Sequence, residues 1–155
     1  MKTHDFRAKI VWTGNLGQGN KSYKGYERSW EVRTEGKPVI ACSNDPLLGG
    51  DPSLHNPEDM LIAALSACHM LWYLHLAHQA GVLVSGYEDD PLGHGESAPT
   101  GAGRFVGATL RPRITVAAGT DMARAEALHH EIAQVCFIAR SVNFPVRYEA
   151  RYEIA

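Results

Sequence analysis

LIAALSACHMLWYLHLA, residues 61–77, is the most apolar segment of the chain. It carries one thiol, Cys68, and two imidazoles, His69 and His75, among residues that otherwise avoid water. A segment that is apolar on every side is typical of a helix in a protein core or of a membrane span. The run therefore determines the fold, and it raises the question of whether Cys68 is a packing residue or a reactive thiol.

The ends of the predicted helix are well marked. Asn56 suits the N-cap, Pro57 suits the first turn, and Glu58 and Asp59 suit the positive end of the helix dipole. Gly81 is a typical C-terminal stop. These signals predict a helix of about 24 residues.

The apolar segment is nearly long enough to span a membrane, but its length alone does not indicate a membrane protein. The segment is single, acidic residues precede it, histidines interrupt it, and no cluster of lysine and arginine flanks it. We therefore expect a core helix, and no membrane as a partner.

The composition narrows the classes of function. The 155 residues suffice for one domain, 1–155, and a formal net charge of −2 without a basic patch argues against nucleic acid as a partner. The N-terminal residues MKTHDFRAKIVW lack the apolar core of a secretory signal, so the expected location is cytoplasmic. The chain has three cysteines, an odd number, and the expected compartment is reducing. The cysteines are therefore expected to remain thiols rather than form a structural disulfide framework.

The rest of the chain predicts strands and a second helix in the order βββ–α–ββ–α–β. Residues 89–103 are expected to form a loop, and residues 104–116 a strand. Asp121 is expected to cap a helix that continues to about Asn143, with apolar residues every three or four positions. VRYEARYEIA, 146–155, alternates throughout and predicts a half-buried antiparallel strand.

These elements indicate an α+β fold, with curved antiparallel sheets wrapped around two core helices. A helix that is apolar on every side is difficult to cover in a chain of this length. A second subunit would supply the missing cover, so we expect a homodimer.

Two cysteines are candidates for chemistry. Cys68 lies near the middle of the first predicted helix and Cys136 late in the second. Packed helices that cross tightly would bring the two sulfurs together. The alternative is that both are core residues, because free cysteine is among the most buried residue types. Cys42, at the end of a predicted strand, is expected to have no chemical role.

Two charged residues are candidates for a thiol site. Glu58 lies ten residues before Cys68, about 15 Å along a helix at the standard rise. It therefore cannot touch the thiol of its own chain and would have to serve the thiol of a second subunit. Arg28, in the predicted strand YKGYERSWEV, 23–32, either faces solvent or lies against a thiol, where it would stabilise a thiolate.

The histidines indicate a metal site only weakly. His75 and His78 are three residues apart and can share a helix face, but no third ligand follows at a suitable spacing. The adjacent His129 and His130 point to different faces. We therefore expect no metal.

Two motifs resemble a known family. NPEDMLIAALSACHMLWYLHLA, 56–77, and VCFIARSVNFPV, 135–146, are similar to the OsmC/Ohr family of thiol-dependent hydroperoxide reductases. The shared features are an Asn-Pro-Glu helix start with a cysteine ten residues on, and a later cysteine followed by Asn-x-Pro. The order and length of the elements also fit, so the resemblance extends over essentially the whole chain.

The resemblance implies an intertwined homodimer with two active sites at the subunit interface. It implies that Cys68 is the peroxidatic thiol and Cys136 the resolving thiol, which together form a disulfide. Glu58 matches the glutamate of the family, and Arg28 is the best match for the arginine that pairs with this glutamate and with the thiolate.

The expected reaction is reduction of a peroxide, organic or also hydrogen peroxide, through a Cys68 sulfenic acid, followed by re-reduction by an external dithiol. No metal, flavin or other cofactor is needed. An aromatic lining from Trp72, Tyr73 or Phe137 would hold the apolar tail of an organic hydroperoxide.

Two other classes of function are compatible with the residues. A cysteine hydrolase would use Cys68 with a histidine base, but His69 points about 100° away from it on a helix. An OsmC-like protein that binds a small apolar ligand would keep its buried thiols inert.

Overall fold

The computed structural model describes residues 2–155. Over this range nine strands and two α helices follow in the order βββ–α–ββββ–α–ββ, with short 3-10 helices at Pro46–Leu48 and Ala139–Ser141. The elements are β1 Ile10–Trp12, β2 Trp30–Val32, β3 Ile40–Cys42, α1 Pro57–Gln79, β4 Val84–Asp89, β5 Leu92–Ser97, β6 Gly103–Leu110, β7 Pro112–Val116, α2 Met122–Ile132, β8 Val146–Tyr148 and β9 Arg151–Ile154.

The chain forms two compact units, the first ending at Met60 and the second running from Leu61 to Ala155. In the first unit β1, β2 and β3 form an antiparallel sheet in which Trp30 lies opposite both Trp12 and Cys42. The second strand is shorter than the predicted 23–32, and in the turn between the second and the third strand Gly36 has a positive φ of 75°.

The second unit contains two three-stranded sheets, β4–β7–β9 and β5–β6–β8. In each sheet the first pair of strands is antiparallel and the last strand joins in parallel. The α+β class is therefore confirmed, whereas the sheets of this unit are mixed rather than antiparallel.

The boundaries predicted for α1 are confirmed. The Asn56 side chain accepts a hydrogen bond from the Asp59 backbone N–H at 2.8 Å, and Gly81 beyond the last turn has a positive φ of 72°. By length and composition alone this helix could also cross a membrane, a test that the core helix of a soluble protein passes as well.

The faces of α1 differ in burial. Its buried residues recur every three or four positions, which places them on one face: Ile62, Leu65, Ser66, His69, Tyr73 and Ala77. Other faces carry exposed leucines: Leu61, Leu71 and Leu74 have 37%, 62% and 37% of their surface accessible. An apolar helix thus leaves part of its apolar surface uncovered in the single chain.

The second helix is shorter than predicted, and Cys136 does not lie on it. Asp121 caps α2 as expected, accepting a hydrogen bond from the Arg124 N–H at 3.1 Å, but the helix ends at Ile132. Beyond it, the N–H of Val135 bonds three residues back to Ile132 at 3.0 Å, which tightens the chain into turns. Helix propensity does not explain this end, because the next two residues, Ala133 and Gln134, are strong helix formers.

The loop predicted over residues 89–103 contains a strand, β5, which pairs antiparallel with β6. Its sequence, LGHGES, shows no apolar alternation because nearly all of it is exposed. Gly93 is required here, since a Cβ would lie 2.5 Å from the Phe105 ring. The pairing of β5 with β6, rather than burial, therefore defines this strand.

The C-terminal strand predicted to be antiparallel is instead two strands that pair in parallel. β8 runs beside β6, and β9 runs beside β7. The segment 104–116 is interrupted at Arg111, before Pro112, which lacks a backbone N–H, and its two halves join different sheets. The C-terminal segment pairs with both halves, so it too is divided into two strands. The predicted alternation holds up to Tyr152, whereas Ile154 is exposed.

The largest core cluster joins α1, α2 and the β4–β7–β9 sheet. Its buried members are Tyr73, Ala77, Val82, Ile114, Val116, Ala125, Leu128, Ile132 and Cys136, and Cys68 and Trp72 are among the residues that pack against it. Fully burying an aliphatic side chain of this kind stabilises a fold by about 1.5–3 kcal/mol. This cluster therefore contributes most of the packing that positions the two helices.

A chain of hydrogen bonds crosses this core between polar rings. The Tyr73 hydroxyl donates to the Ala125 carbonyl at 3.2 Å and lies 3.2 Å from the Tyr152 hydroxyl. Tyr152 lies 3.1 Å from Nε2 of His129, whose Nδ1 lies 2.8 Å from Nε2 of His69. Buried polar groups need such partners, because an unpaired one costs about 1–3 kcal/mol.

The Ala125 carbonyl, at one end of this series of hydrogen bonds, determines which group donates in each of them. Because Tyr73 gives its only hydrogen to the Ala125 carbonyl, Tyr152 must donate to Tyr73. His129 then donates to Tyr152 through Nε2, so its Nδ1 is left to accept from Nε2 of His69. His129 is therefore neutral, and both imidazoles carry a hydrogen on Nε2.

Burial keeps both imidazoles neutral. It lowers the pKa of His69 to about 4, against a smaller opposing effect of the Asp89 charge. It lowers the pKa of His129 to about 3, and the neighbouring imidazoles of His69 and His130 add to this effect. Protonation of either ring is thus suppressed in the folded protein.

These two pKa values predict loss of stability in mild acid. Unfolded histidine binds a proton near pH 6.5, so between that pH and the folded pKa the unfolded state holds more protons. Each histidine then lowers the free energy of unfolding by about 1.4 kcal/mol per pH unit as the pH falls. Urea unfolding between pH 7 and pH 5 measures this slope, at one protein concentration.

The contribution of one histidine is isolated by comparing wild type with His129→Gln, which cannot titrate. The variant should show a shallower dependence on pH below 6.5, while His78→Gln, at an exposed position, should match wild type. Equal slopes for wild type and His129→Gln would contradict the prediction.

Candidate functional site

The structure brings the two predicted cysteines into contact. Sγ of Cys68, in the middle of α1, lies 2.8 Å from Sγ of Cys136, and both are free thiols. A disulfide bond length is about 2.05 Å, so the two sulfurs would have to move only slightly to form a bond once one of them has been oxidised. The expectation that these two sulfurs meet is therefore confirmed, although Cys136 reaches Cys68 from a turn beyond α2 and not from the helix.

Backbone hydrogen bonds hold Cys136 in its turn. Its N–H donates to the carbonyl of Ile132 at 2.8 Å, and its carbonyl accepts from the N–H of Arg140 at 3.0 Å. The N–H of Ala139 points at the sulfur itself, 3.4 Å away. The turn between α2 and the 3-10 helix at Ala139–Ser141 thus fixes both the backbone and the thiol.

The two thiols have different surroundings. Cys136 is fully buried, whereas Cys68 is half-buried. Burial, followed by the hydrogen bond that it donates to Cys68, raises the pKa of Cys136 to about 11. At neutral pH Cys136 therefore keeps its proton and donates it to the sulfur of Cys68, which is the more accessible of the two.

Arg28 lies in the first unit, just before β2 rather than within a strand as predicted. Its guanidinium lies between the rings of Tyr23 and Tyr26, 4.2 Å from each ring centre, and Nη1 donates to the Tyr26 carbonyl at 2.8 Å. The loop at Gly49 packs against its side chain. Nη2 is buried and has no hydrogen-bond partner within residues 2–155, so it can still donate to an acceptor.

Glu58 is exposed in the first turn of α1. Ten residues of continuous helix separate it from Cys68, as the sequence predicted. Its role at a thiol site stays a prediction, as does that of Arg28.

The predicted aromatic lining divides into two parts. Trp72 is half-buried and, like Cys68, packs against the core cluster that contains Cys136, and Phe137, next to Cys136, has 60% of its surface accessible. Tyr73, in contrast, is fully buried and its hydroxyl is bonded to Tyr152 and the Ala125 carbonyl. Of the three, Trp72 and Phe137 remain candidates for contact with a substrate.

The sequence did not predict the role of His69 and His129. They form the hydrogen-bonded pair described above, and their rings are nearly parallel, at 12°, with centres 5.1 Å apart. The signal was available, since His69 continues the spacing of Ile62, Leu65 and Tyr73 along the buried face of α1. A cavity of about 420 Å³ borders the pair, with Tyr148 and Ala139 also in its wall.

The histidines that were considered as metal ligands do not form a metal site in the structure. Within residues 2–155, no three histidine, cysteine, aspartate or glutamate side chains are grouped so as to hold a metal ion. His75 instead lies edge-on to Trp72, with ring centres 5.6 Å apart.

Solved structures with similar folds include proteins of the family that the two cysteine motifs resemble. An OsmC-like protein of unknown function from Vibrio cholerae is 27% identical, with a TM-score of 0.85, over 96% of this chain and 100% of that chain. An organic hydroperoxide resistance protein OsmC from Legionella pneumophila is 19% identical, with a TM-score of 0.68, over 99% of each chain. An organic hydroperoxide resistance protein from Elizabethkingia anophelis is 18% identical, with a TM-score of 0.68, over 100% of each chain.

None of the curated proteins compared with this chain matches it. The family model for OsmC-like proteins matches residues 50–151, a range that contains α1, α2 and both cysteines of the thiol pair. The resemblance drawn from the two cysteine motifs is thereby confirmed. This chain belongs to the OsmC-like protein family.

Proposed function

We propose that this protein is a thiol-dependent peroxidase that reduces organic hydroperoxides, and also hydrogen peroxide. The observation that carries the proposal is the 2.8 Å contact between the sulfurs of Cys68 and Cys136. Two free thiols at this distance, one half-buried and one buried, suit a cycle in which one is oxidised and the other closes a disulfide. The names of the neighbours from Legionella and Elizabethkingia favour the same chemistry.

The proposed cycle has three steps. The Cys68 sulfur attacks one peroxide oxygen, the O–O bond breaks, and the alcohol leaves with a proton as Cys68 becomes a sulfenic acid. The Cys136 thiol then attacks the Cys68 sulfur, which forms the S–S bond and releases the sulfenic hydroxyl as water. An external dithiol reduces this disulfide, becomes oxidised itself, and restores both thiols.

The surroundings of the two sulfurs support this assignment of roles. The more accessible Cys68 is the sulfur that a peroxide can reach, and it accepts the hydrogen bond from Cys136. Cys136, which keeps its proton at neutral pH, attacks only after Cys68 has become electrophilic. The reverse order would require a buried thiol of raised pKa to react first.

Arg28 is the proposed activating cation. The two tyrosine rings and the Tyr26 carbonyl hold its guanidinium in one orientation and leave buried Nη2 to bind an acceptor. The proposed acceptors are the Cys68 thiolate and the Glu58 carboxylate. Arginine suits this role because its planar group binds two acceptors at once.

We also propose that the protein is a single cytoplasmic domain that works as an intertwined homodimer. The exposed leucines of α1 support a second subunit, because they form an apolar surface on the helix that carries Cys68. The helical distance between Glu58 and Cys68 supports a shared site, since each glutamate would serve the thiol of the partner subunit. Trp72 and Phe137 would contact the apolar tail of the peroxide.

The two-cysteine cycle predicts distinct products for three proteins. One equivalent of cumene hydroperoxide should remove two thiols from reduced wild type and lower its mass by about 2 Da, because one disulfide forms. Cys136→Ser should instead gain one oxygen as a sulfenic acid, since no resolving thiol remains. Intact mass spectrometry and a thiol count give both results.

Cys68→Ser is the matched control and should remain unchanged by the peroxide. Cys42, buried in the first unit, should keep its thiol in all three proteins. Survival of all three thiols in wild type would exclude the peroxidase and leave ligand binding as the function to test.

The proposed role of Arg28 predicts slower reaction of Cys68 when the guanidinium is replaced. Arg28→Lys should lower the rate of Cys68 alkylation by iodoacetamide at pH 7 by about tenfold, because the ammonium group cannot reproduce the fixed fork of the guanidinium. Mass spectrometry of the Cys68 peptide measures this rate.

Arg33→Lys provides the matched control, because Arg33 lies in the same unit, is exposed and pairs with Glu31. It should react as wild type does. If Arg28→Lys and Arg33→Lys react equally fast, Arg28 does not activate the thiol.

A site shared between subunits predicts complementation. Cys68→Ser and Glu58→Gln should each be inactive or slow alone, but after subunit exchange a mixed dimer contains one site with both native groups. With equal amounts, half the dimers are mixed and half their sites intact, so about one quarter of wild-type peroxide consumption should return.

Native mass spectrometry verifies that the mixed dimers have formed. If Glu58 instead served its own chain, no mixed dimer would contain an intact site, and no activity would return.

A further inference from the structure

We infer that His69 and His129 are a positioning pair that sets the separation of Cys68 and Cys136 and so promotes closure of their disulfide. The inference rests on the proposed two-cysteine cycle and assigns the pair a role within it. Neither histidine touches a sulfur through any hydrogen bond of the structure in residues 2–155, so the role is indirect.

Each histidine is coupled to one of the thiols through a rigid path. His69 is the neighbour of Cys68 on α1, so the two move together with that helix. His129 lies on α2, three residues before Ile132, whose carbonyl holds the N–H of Cys136 at 2.8 Å. The hydrogen bond between the imidazoles therefore links the helix of one thiol to the helix end that holds the other.

This bond adds a second directional link between α1 and α2, beside the hydrogen bond from the Tyr73 hydroxyl to the Ala125 carbonyl. Leu128 and Ile132 bury apolar surface between the helices, and such packing is non-directional. The contact of 2.8 Å between Nε2 of His69 and Nδ1 of His129 fixes both a distance and an angle. It therefore sets the position of α2 along α1 more narrowly than apolar contacts do.

The other hydrogen bonds of the series allow only one arrangement of the hydrogens on His69 and His129. Because the Ala125 carbonyl fixes the hydrogen of Tyr73 and Tyr152 fixes that of His129, only one arrangement satisfies the pair. Disulfide closure benefits from this precision, because the Cβ atoms of the two cysteines must come within about 3.5–4.5 Å of each other.

The test measures how readily the thiol pair closes, without using any peroxide. The reduced protein is equilibrated with mixtures of reduced and oxidised glutathione. In the exchange, the protein dithiol reduces one molecule of oxidised glutathione to two of reduced glutathione and becomes a disulfide. The amount of peptide linked between Cys68 and Cys136 gives the effective concentration of one thiol toward the other.

His69→Leu and His69→Gln are the matched pair of variants. Leucine removes the hydrogen bond at similar volume and should lower the effective concentration about tenfold, in line with the usual coupling between contacting residues. Glutamine carries an N–H donor where Nε2 lies, so it should restore the value to within about twofold of wild type.

Tyr148→Phe tests whether the loss of any hydrogen bond near the two histidines lowers the effective concentration of the thiols. Tyr148 stacks on His129, with ring centres 4.6 Å apart, and its hydroxyl bonds His130 at 2.9 Å, outside the positioning pair. It should leave the effective concentration unchanged. Urea unfolding of each variant confirms that folded protein is compared.

Two results would overturn the inference: an unchanged effective concentration in folded His69→Leu, or an equal loss in His69→Leu and His69→Gln. If His69→Leu does not unfold cooperatively, His69→Asn replaces it, because its shorter amide does not reach His129 and the same loss is expected. A fall that glutamine rescues, in a protein that consumes no peroxide, would support the positioning pair and refute the peroxidase.

Discussion

The structure depends on the need to cover a long apolar helix with a short chain. α1 spans 23 residues and has apolar residues on every face, but a small domain has limited surface with which to bury it. In the second unit, α2 and the β4–β7–β9 sheet cover the face that contains Tyr73 and Ala77. The leucines on the other faces remain exposed, and the same helix carries Cys68. The proposed peroxidatic thiol and the uncovered apolar surface therefore belong to the same helix.

A core built around such a helix must also accommodate its polar residues. His69 lies on the buried face, and the core provides His129, Tyr152 and Tyr73 in sequence until a backbone carbonyl ends the series. Each side chain donates a hydrogen bond to the next, so two neutral imidazoles are buried with no unpaired polar atom between them. Burial of a thiol has a parallel effect, because it raises the pKa of Cys136 and keeps it protonated beside the more accessible Cys68.

The sequence predicted those features that short-range signals define. Asn56 and Gly81 bound α1 through their own side-chain and backbone chemistry, and the two cysteine motifs indicated the family and the thiol pair. Features that depend on distant pairing were missed. β5 is a strand because β6 lies beside it, and the C-terminal segment divides because β6 and β7 belong to different sheets. His129 was considered for metal binding, whereas its partner, His69, is sixty residues away in the chain.

The parallel pairing of β8 and β9 has a consequence for the order in which the protein forms during synthesis. Residues 146–154 complete both sheets of the second unit, and Tyr152 among them accepts the hydrogen bond from His129. A nascent chain that has reached only the end of α2 already contains Cys68 and both imidazoles, but not the strands β8 and β9. Contacts of such long sequence separation form slowly. The thiols are thus synthesised before the structure that brings them together is complete.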